Sequence, residues 1–160
     1  MAEQNIVLKG FDELDRKLHA LPDKVAKKIL RQSCVEGAKV IAAEADRIIR
    51  SKVKITHRGK TTGIQTSQHY SMVTSRVGPS GKKWYLKFFE TGTVVSDKTM
   101  RGLKHTAKII ERMARRVGGM WRIAPRPWLR PALDISKERV LEKVGQELGN
   151  RIEIEAGSSI

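Results

Sequence analysis

The stretch that follows Pro22 limits this chain more than any other. Ala26, Leu30, Cys34, Gly37, Ile41, Ala45 and Ile48 fall three or four residues apart, while Lys24, Lys27, Lys28, Arg31 and Lys39 fall largely outside that stripe. This is the spacing of one apolar face on an α-helix. Pro22 suits a first helical turn, where a missing N–H is harmless, and Asp23 complements the positive end. A helix of about 30 residues reaches roughly 45 Å, so every other element has to pack along it. Its stripe is rich in Ala, Cys and Gly, which let a neighbouring helix or sheet come close.

The flanking segments are shorter. "NIVLKG" reads as a strand stopped by Gly10, and "FDELDRKLHALPD" places Phe11, Leu14, Leu18 and Leu21 at helical spacing before Pro22. Residues 51–68 are basic, rich in Thr and Gly and without a period, which predicts a mobile basic loop. "HYSMVTSRVGPSGKKWYLKFFETGT" reads as two β-segments around a "GPSG" turn, with Met72, Val77, Trp84, Leu86 and Phe88 as core candidates. The second of these segments, from Trp84 to Phe89, also suits a short helix.

A basic helix is predicted within residues 97–122, where Leu103, Ala107, Ile109, Ile110, Met113, Ala114 and Val117 share one side. Arg101, Lys104, Lys108, Arg112, Arg115 and Arg116 share the other, and Gly118 and Gly119 end the pattern. Pro131 suits the first turn of a last helix with Leu133, Val140, Leu141, Val144 and Leu148 inward. "RIEIEAGSSI" reads as a strand with a loose tail from residue 154. The expected fold is α/β of the α+β kind, in one domain over residues 1–160. It has long N- and C-terminal helices on a small antiparallel sheet, with the basic helix inserted before the last one.

Charge is spread unevenly. The 160 residues hold 32 Lys and Arg against 17 Asp and Glu, a net charge of +15. Residues 50–90 carry nine cations and one acid, and residues 97–130 carry ten and two, whereas residues 131–160 carry four and six. The implied partner is a polyanion or an acidic protein surface. Arg58, Lys60, Lys82, Lys83, Arg101, Lys104, Lys108, Arg112, Arg115 and Arg116 are the candidate contacts to DNA or to a partner. A single such helix face is as often merely solvated, but two adjoining basic segments favour binding. The few aromatics, 5% of the chain, argue against stacking platforms, and no helix-turn-helix pattern speaks for base readout.

Other classes of function find little footing. A lone Cys34 excludes an intrachain disulfide and reads as a small core residue. His19, His57, His69 and His105 lack metal-ligand spacing, "GPSGKK" lacks the spacing of a phosphate loop, and no paired carboxylates or Ser/His/Asp set stands out. Neither catalysis, nor a metal, nor a cofactor is expected. No membrane-spanning run and no secretion signal are visible, so folding in a cytosol is expected.

Glu90, in "FFETGT", is the one acid between Arg50 and Asp97. That segment, with "GFDELDRKLHALPDKVAKKIL" and "GAKVIAAEA" before it and "APRPWLRPALD" after it, resembles the tail-completion or head-tail joining family of long-tailed bacteriophages. The order and spacing cover nearly the whole chain. The resemblance implies a non-catalytic virion subunit, assembled in the host cytoplasm, that forms a ring, expected as a hexamer, at the neck or upper tail. Its partners would be copies of itself, neighbouring neck and tail-tube or tail-terminator proteins, and the genome DNA passing through. The matching motif positions are Glu90, Gly92 and Thr93, then Pro127, Trp128, Leu129, Arg130, Pro131, Ala132 and Leu133. The basic insertion from about Met100 to Val117 departs from the family's shorter connection. Glu90 is expected to pair with Arg126 or Arg130, or with a neighbouring subunit. The alternative function is sequence-independent nucleic-acid binding through the basic centre.

Overall fold

A computed structural model describes residues 11–53, 59–69, 72–102, 111 and 114–157. The fold is α+β. In chain order the elements are α1 (Phe11–His19), α2 (Asp23–Lys52), β1 (Thr62–His69), β2 (Met72–Pro79), a 3-10 segment (Gly81–Leu86) and α3 (Lys87–Thr91). Then come β3 (Thr93–Ser96), α4 (Asp97–Gly102), β4 (Ala114–Val117), β5 (Met120–Ile123) and α5 (Leu129–Gly157). β1 and β2 form an antiparallel hairpin, and β3, β5 and β4, in that order, form an antiparallel three-stranded sheet.

The two long helices run antiparallel, since Gln32 near the start of α2 meets Arg151 near the end of α5. Their contact uses residues four apart. Ile29, Ser33, Gly37, Ala45 and Ile49 are buried on α2, and Ala132, Ser136, Leu148 and Ile152 are buried on α5. Both rows belong to the ridges that the i±4 spacing raises on a helix surface. The small side chains at their centre let the backbones approach: a β-carbon added at Gly37 would lie 2.5 Å from Val144 Cγ2. Ser136 satisfies its hydroxyl by donating to the Ala132 carbonyl at 2.6 Å, whereas the Ser33 hydroxyl is buried without a partner.

Apolar burial falls into two clusters. One joins Ile49, Val53, Tyr85, Leu86, Phe89, Val95, Ile123, Trp128 and Ala132 where the end of α2 meets the three-stranded sheet and the start of α5. The other joins Ile29, Leu148 and Ile152 with Leu14, Leu18 and Leu21, and so docks α1 against the far end of the helix pair.

Several expectations need correction. Residues 62–68, predicted as part of a loop, belong to β1, because Thr62 through His69 pair residue by residue with β2. The hairpin therefore ends within "GPSG", at Pro79, instead of bracketing it, and the segment from Gly81 to Thr91 is helical, in line with the short-helix alternative for Trp84 to Phe89. Met72 is 65% exposed and Trp84 42%, so neither is core, while Leu86 is fully buried. Of the predicted basic helix, Asp97–Gly102 and Glu111 are helical, but Ala114–Val117 is strand. Leu103, Ala107, Ile109, Ile110 and Met113 lie outside the described residues, as does "NIVLKG". Gly118 and Gly119 both take positive φ, 58° and 75°, the requirement of a tight hairpin turn whose twist matches its strands. A Gly pair ends a helix or turns a hairpin equally well, and the four-residue strand before it is too short to announce a period of two. Leu133 is exposed. Arg151–Gly157 is helix, not strand, because Ile152 continues the row that began at Ala132.

Gly37→Leu is expected to destabilise the protein by about 2 kcal/mol or more, through overpacking that forces the two helices apart. Ser33→Ala, which removes an unpaired buried hydroxyl, is expected to leave the thermal midpoint unchanged or raise it. Thermal melts followed by circular dichroism check both.

Candidate functional site

The segment Pro125–Pro131 has few backbone donors, because its prolines lack an N–H. Every donor from Arg126 to Arg130 that can be buried must find an acceptor. The Arg126 N–H donates to the Phe89 carbonyl at 2.6 Å. The Glu90 carboxylate accepts the next three: Trp128 N–H at 2.7 Å, Leu129 N–H at 3.0 Å and Arg130 N–H at 3.2 Å. These are the orphan donors of a helix N-terminus, where the helix dipole also favours a negative charge. The acid among cations is thus a cap delivered from a distant helix. Its partners are backbone amides and not the Arg126 or Arg130 guanidinium expected from sequence; those two arginines make no ion pair with it.

Gly92 explains the rest of the motif. It takes φ of 71°, and a β-carbon there would approach the Ile123 carbonyl to 2.9 Å and Pro125 to 3.0 Å. Both facts require glycine. Thr93 then opens β3, opposite Ile123. Trp128 is fully buried, with its indole N–H pointed at the Leu86 carbonyl at 3.4 Å. The end of α2 closes the arrangement: Lys52 Nζ donates to the Pro127 carbonyl at 2.5 Å, and Arg126 donates to the Lys52 carbonyl at 3.3 Å. Leu129 packs against the same cluster and Ala132 is buried in it. Pro127 and Arg130 are exposed and Pro131 is half-buried.

The basic candidates do not share one face. Arg58, Lys104, Lys108 and Arg112 lie outside the described residues, as does the Lys82 side chain. Lys60 and Arg101 are exposed. Lys83 is turned inward, 6% exposed, and its Nζ donates to the Gly59 carbonyl at 3.0 Å; burial first, and nearby Arg50 second, pull its pKa down. It is no ligand-facing cation. Arg115 and Arg116 are neighbours on a strand, so they leave opposite sides of the sheet. Arg116 lies over the Trp121 ring, 5.9 Å from its centre, and pairs with Asp97 at 2.7 Å.

The outer side of that sheet is the more informative surface. Strand register places Val94, Arg122 and Arg115 in one cross-strand row and Ser96, Met120 and Val117 in another. Alternation puts both rows on the side opposite Val95 and Ile123, which are buried. Val94, Met120 and Val117 are 51%, 52% and 59% exposed. Arg115 and Arg122 stand exposed between them.

No known family, curated protein or solved structure matches the chain. Its chemistry has to be judged from geometry alone. Among the described residues no group of His, Cys, Asp and Glu could hold a metal ion, and no helix is long and apolar enough to cross a membrane. Cys34 is half-buried, and burial pushes its thiol pKa up, which disfavours the nucleophilic thiolate.

Three structural residues escaped the sequence reading. Asp46 accepts the Thr62 N–H at 2.9 Å and the Thr61 hydroxyl, fastening β1 to α2. Asp97 accepts from Arg116 and, at 2.7 Å, from Trp121 Nε1. Lys52 holds the Pro127 carbonyl. Each acts on a segment far along the chain, so nothing at its own position announces the role.

Removing the cap by Glu90→Ala should cost about 3 kcal/mol, because three amides lose a charged acceptor, while Glu90→Gln keeps one acceptor oxygen and should cost about 1 kcal/mol. Chemical denaturation reads both. Hydrogen bonding from Arg116, and secondarily from Trp121, holds the Asp97 carboxyl below its usual range. The unfolded state therefore takes up its proton first as pH falls, so this contribution is complete above the ordinary aspartate pKa and is lost below it. Asp97→Asn should flatten the fall of melting temperature between about pH 5 and pH 2 relative to the parent.

Proposed function

We propose that this protein is a non-catalytic structural subunit of a bacteriophage virion, a ring-forming tail-completion or head-tail connector component that joins the neck to the tail tube. The observation that carries this reading is the convergence of "FFETGT" and "APRPWLRPALD" on one joint. The segments on which the resemblance rests are 34 positions apart between Glu90 and Ala124, yet they complete each other's hydrogen bonds around Trp128. A shared joint is what two motifs held together by assembly and fold would require. The mixed aliphatic and arginine face on the three-stranded sheet adds support, since Met and Arg are enriched where proteins meet. On this reading the partners are copies of the same chain and adjoining neck and tail proteins, with DNA passing through the ring.

Sequence-independent nucleic-acid binding is the second reading, and one specific arrangement favours it. Lys28, Arg31 and Arg151 line a shallow cleft of about 350 Å³, and Lys39, Arg47, Arg139 and Lys143 line a neighbouring one of about 440 Å³. These cations come from α2 and α5, outside the basic centre of the chain. Several are already matched, as in Lys39 with Glu36 at 2.6 Å and Arg47 with Glu44 at 2.5 Å, which weakens the case for phosphate.

Light scattering of the purified protein, with and without duplex DNA at low and physiological salt, separates the readings. The connector reading expects a ring-sized particle, or a small species indifferent to DNA at physiological salt. A small species that binds DNA with affinity falling steeply as salt rises, about 0.9 log units per log unit of salt for each phosphate contacted, would replace it with the second reading.

A further inference from the structure

The exposed sheet face described above has no ion pair for Arg115 or Arg122 among the described residues. A second surface of this chain carries the opposite charge. On α5, Asp134, Glu138 and Glu142 recur every fourth residue and are all exposed, so they form one ridge on the helix. Ile135, one turn from Glu138 and 58% exposed, lies beside that ridge. Among the described residues no ion pair engages any of these acids, and Glu142 accepts from Gln146 Nε2 at 3.2 Å.

We propose that the outer face of the β3–β5–β4 sheet docks on the Asp134–Glu142 ridge of a second copy of this chain. Arg115 and Arg122 would meet the carboxylates, and Met120, Val117 and Val94 would cover Ile135. Charge decides the geometry. A sheet face set against its own twofold mate would bring arginines onto arginines, and two α5 ridges would bring acids onto acids, each a repulsive pairing. The attractive pairing is therefore sheet to helix, a heterologous contact that propagates from copy to copy until it closes as a ring or runs on as a filament. This inference rests on the proposed ring-forming role and supplies the contact that role needs.

The test uses the full chain in two forms. In a Cys34→Ala background, Met120→Cys protein is mixed with Ile135→Cys protein under mild oxidation; a disulfide between the two different variants is expected, with little self-linking of either. In parallel, Arg115→Glu with Arg122→Glu should raise the apparent dissociation constant of self-association at least tenfold by sedimentation, with the melting temperature unchanged because both sites are exposed. Adding Glu138→Arg and Glu142→Arg should recover most of that loss.

Self-linking of the Met120→Cys protein alone would overturn the proposal in favour of a twofold dimer. If the Arg115→Glu, Arg122→Glu protein loses the duplex-DNA binding of the parent in the same sedimentation runs while self-association stays intact, the proposal is overturned and the sheet face is assigned to a polyanion. Self-association unaffected by the arginine reversals would overturn this contact and leave the ring-forming role standing. A wild-type chain that stays monomeric at every concentration, with no disulfide between the two cysteine variants, would overturn the contact, and the role falls with it if that monomer also binds duplex DNA at physiological salt.

Discussion

Burying the Trp128 indole in this chain is feasible only because two other segments, the end of α2 and α3, satisfy the backbone that travels inward with it. A tryptophan at full burial contributes several kcal/mol, but it stands between two prolines and at the start of a helix, where amides have no partner within the helix. Glu90 accepts three of them, Phe89 accepts a fourth and Lys52 donates to the intervening carbonyl. The polar joint and the apolar cluster are therefore one device. Without the cap the tryptophan would bring unsatisfied amides into the core, and without the tryptophan the cap would hold a helix end against nothing.

The joint also fixes how the remaining elements are placed. It sets the start of α5, and the close ridge around Gly37 sets the course of α5 along α2. It sets Gly92, from which β3 departs, and β3 belongs to the sheet whose outer face exposes Val94, Met120 and Val117. Rigid placement of that face relative to the acidic ridge of α5 is what a repeating contact between copies demands, because small errors in angle accumulate around a ring. Sequence and fold thus meet at the same few residues, and the proposed contact between copies would depend on them.

Legibility from sequence followed the range of the interactions involved. α2 was readable because its thirty residues repeat one local pattern, although the buried positions include Ile29, Ser33 and Ile49 as well as the expected Gly37, Ala45 and Ile48. The importance of Glu90 was readable from its isolation among cations; the atoms it binds were not, since backbone amides carry no sequence signal. β1 was missed because Thr, Gln and Ser give no apolar alternation, and Asp46, which fastens it, lies on a different element. The basic stretch ending in "ARRVGG" was read as helix because a 3.6-residue period can be satisfied by chance over a short strand. Charge was misleading in the same way: arginines adjacent in sequence part company across a sheet, while α2 and α5 gather cations from distant positions into two neighbouring clefts.

The most direct test of the joint is the hydrogen exchange of individual amides in the native protein, followed by NMR. The account predicts that the N–H groups of Trp128, Leu129 and Arg130 exchange as slowly as the buried amides near Phe89, opening only with the apolar cluster itself. Exchange of those three amides at the rates of a frayed helix end, with the neighbouring core still protected, would contradict it.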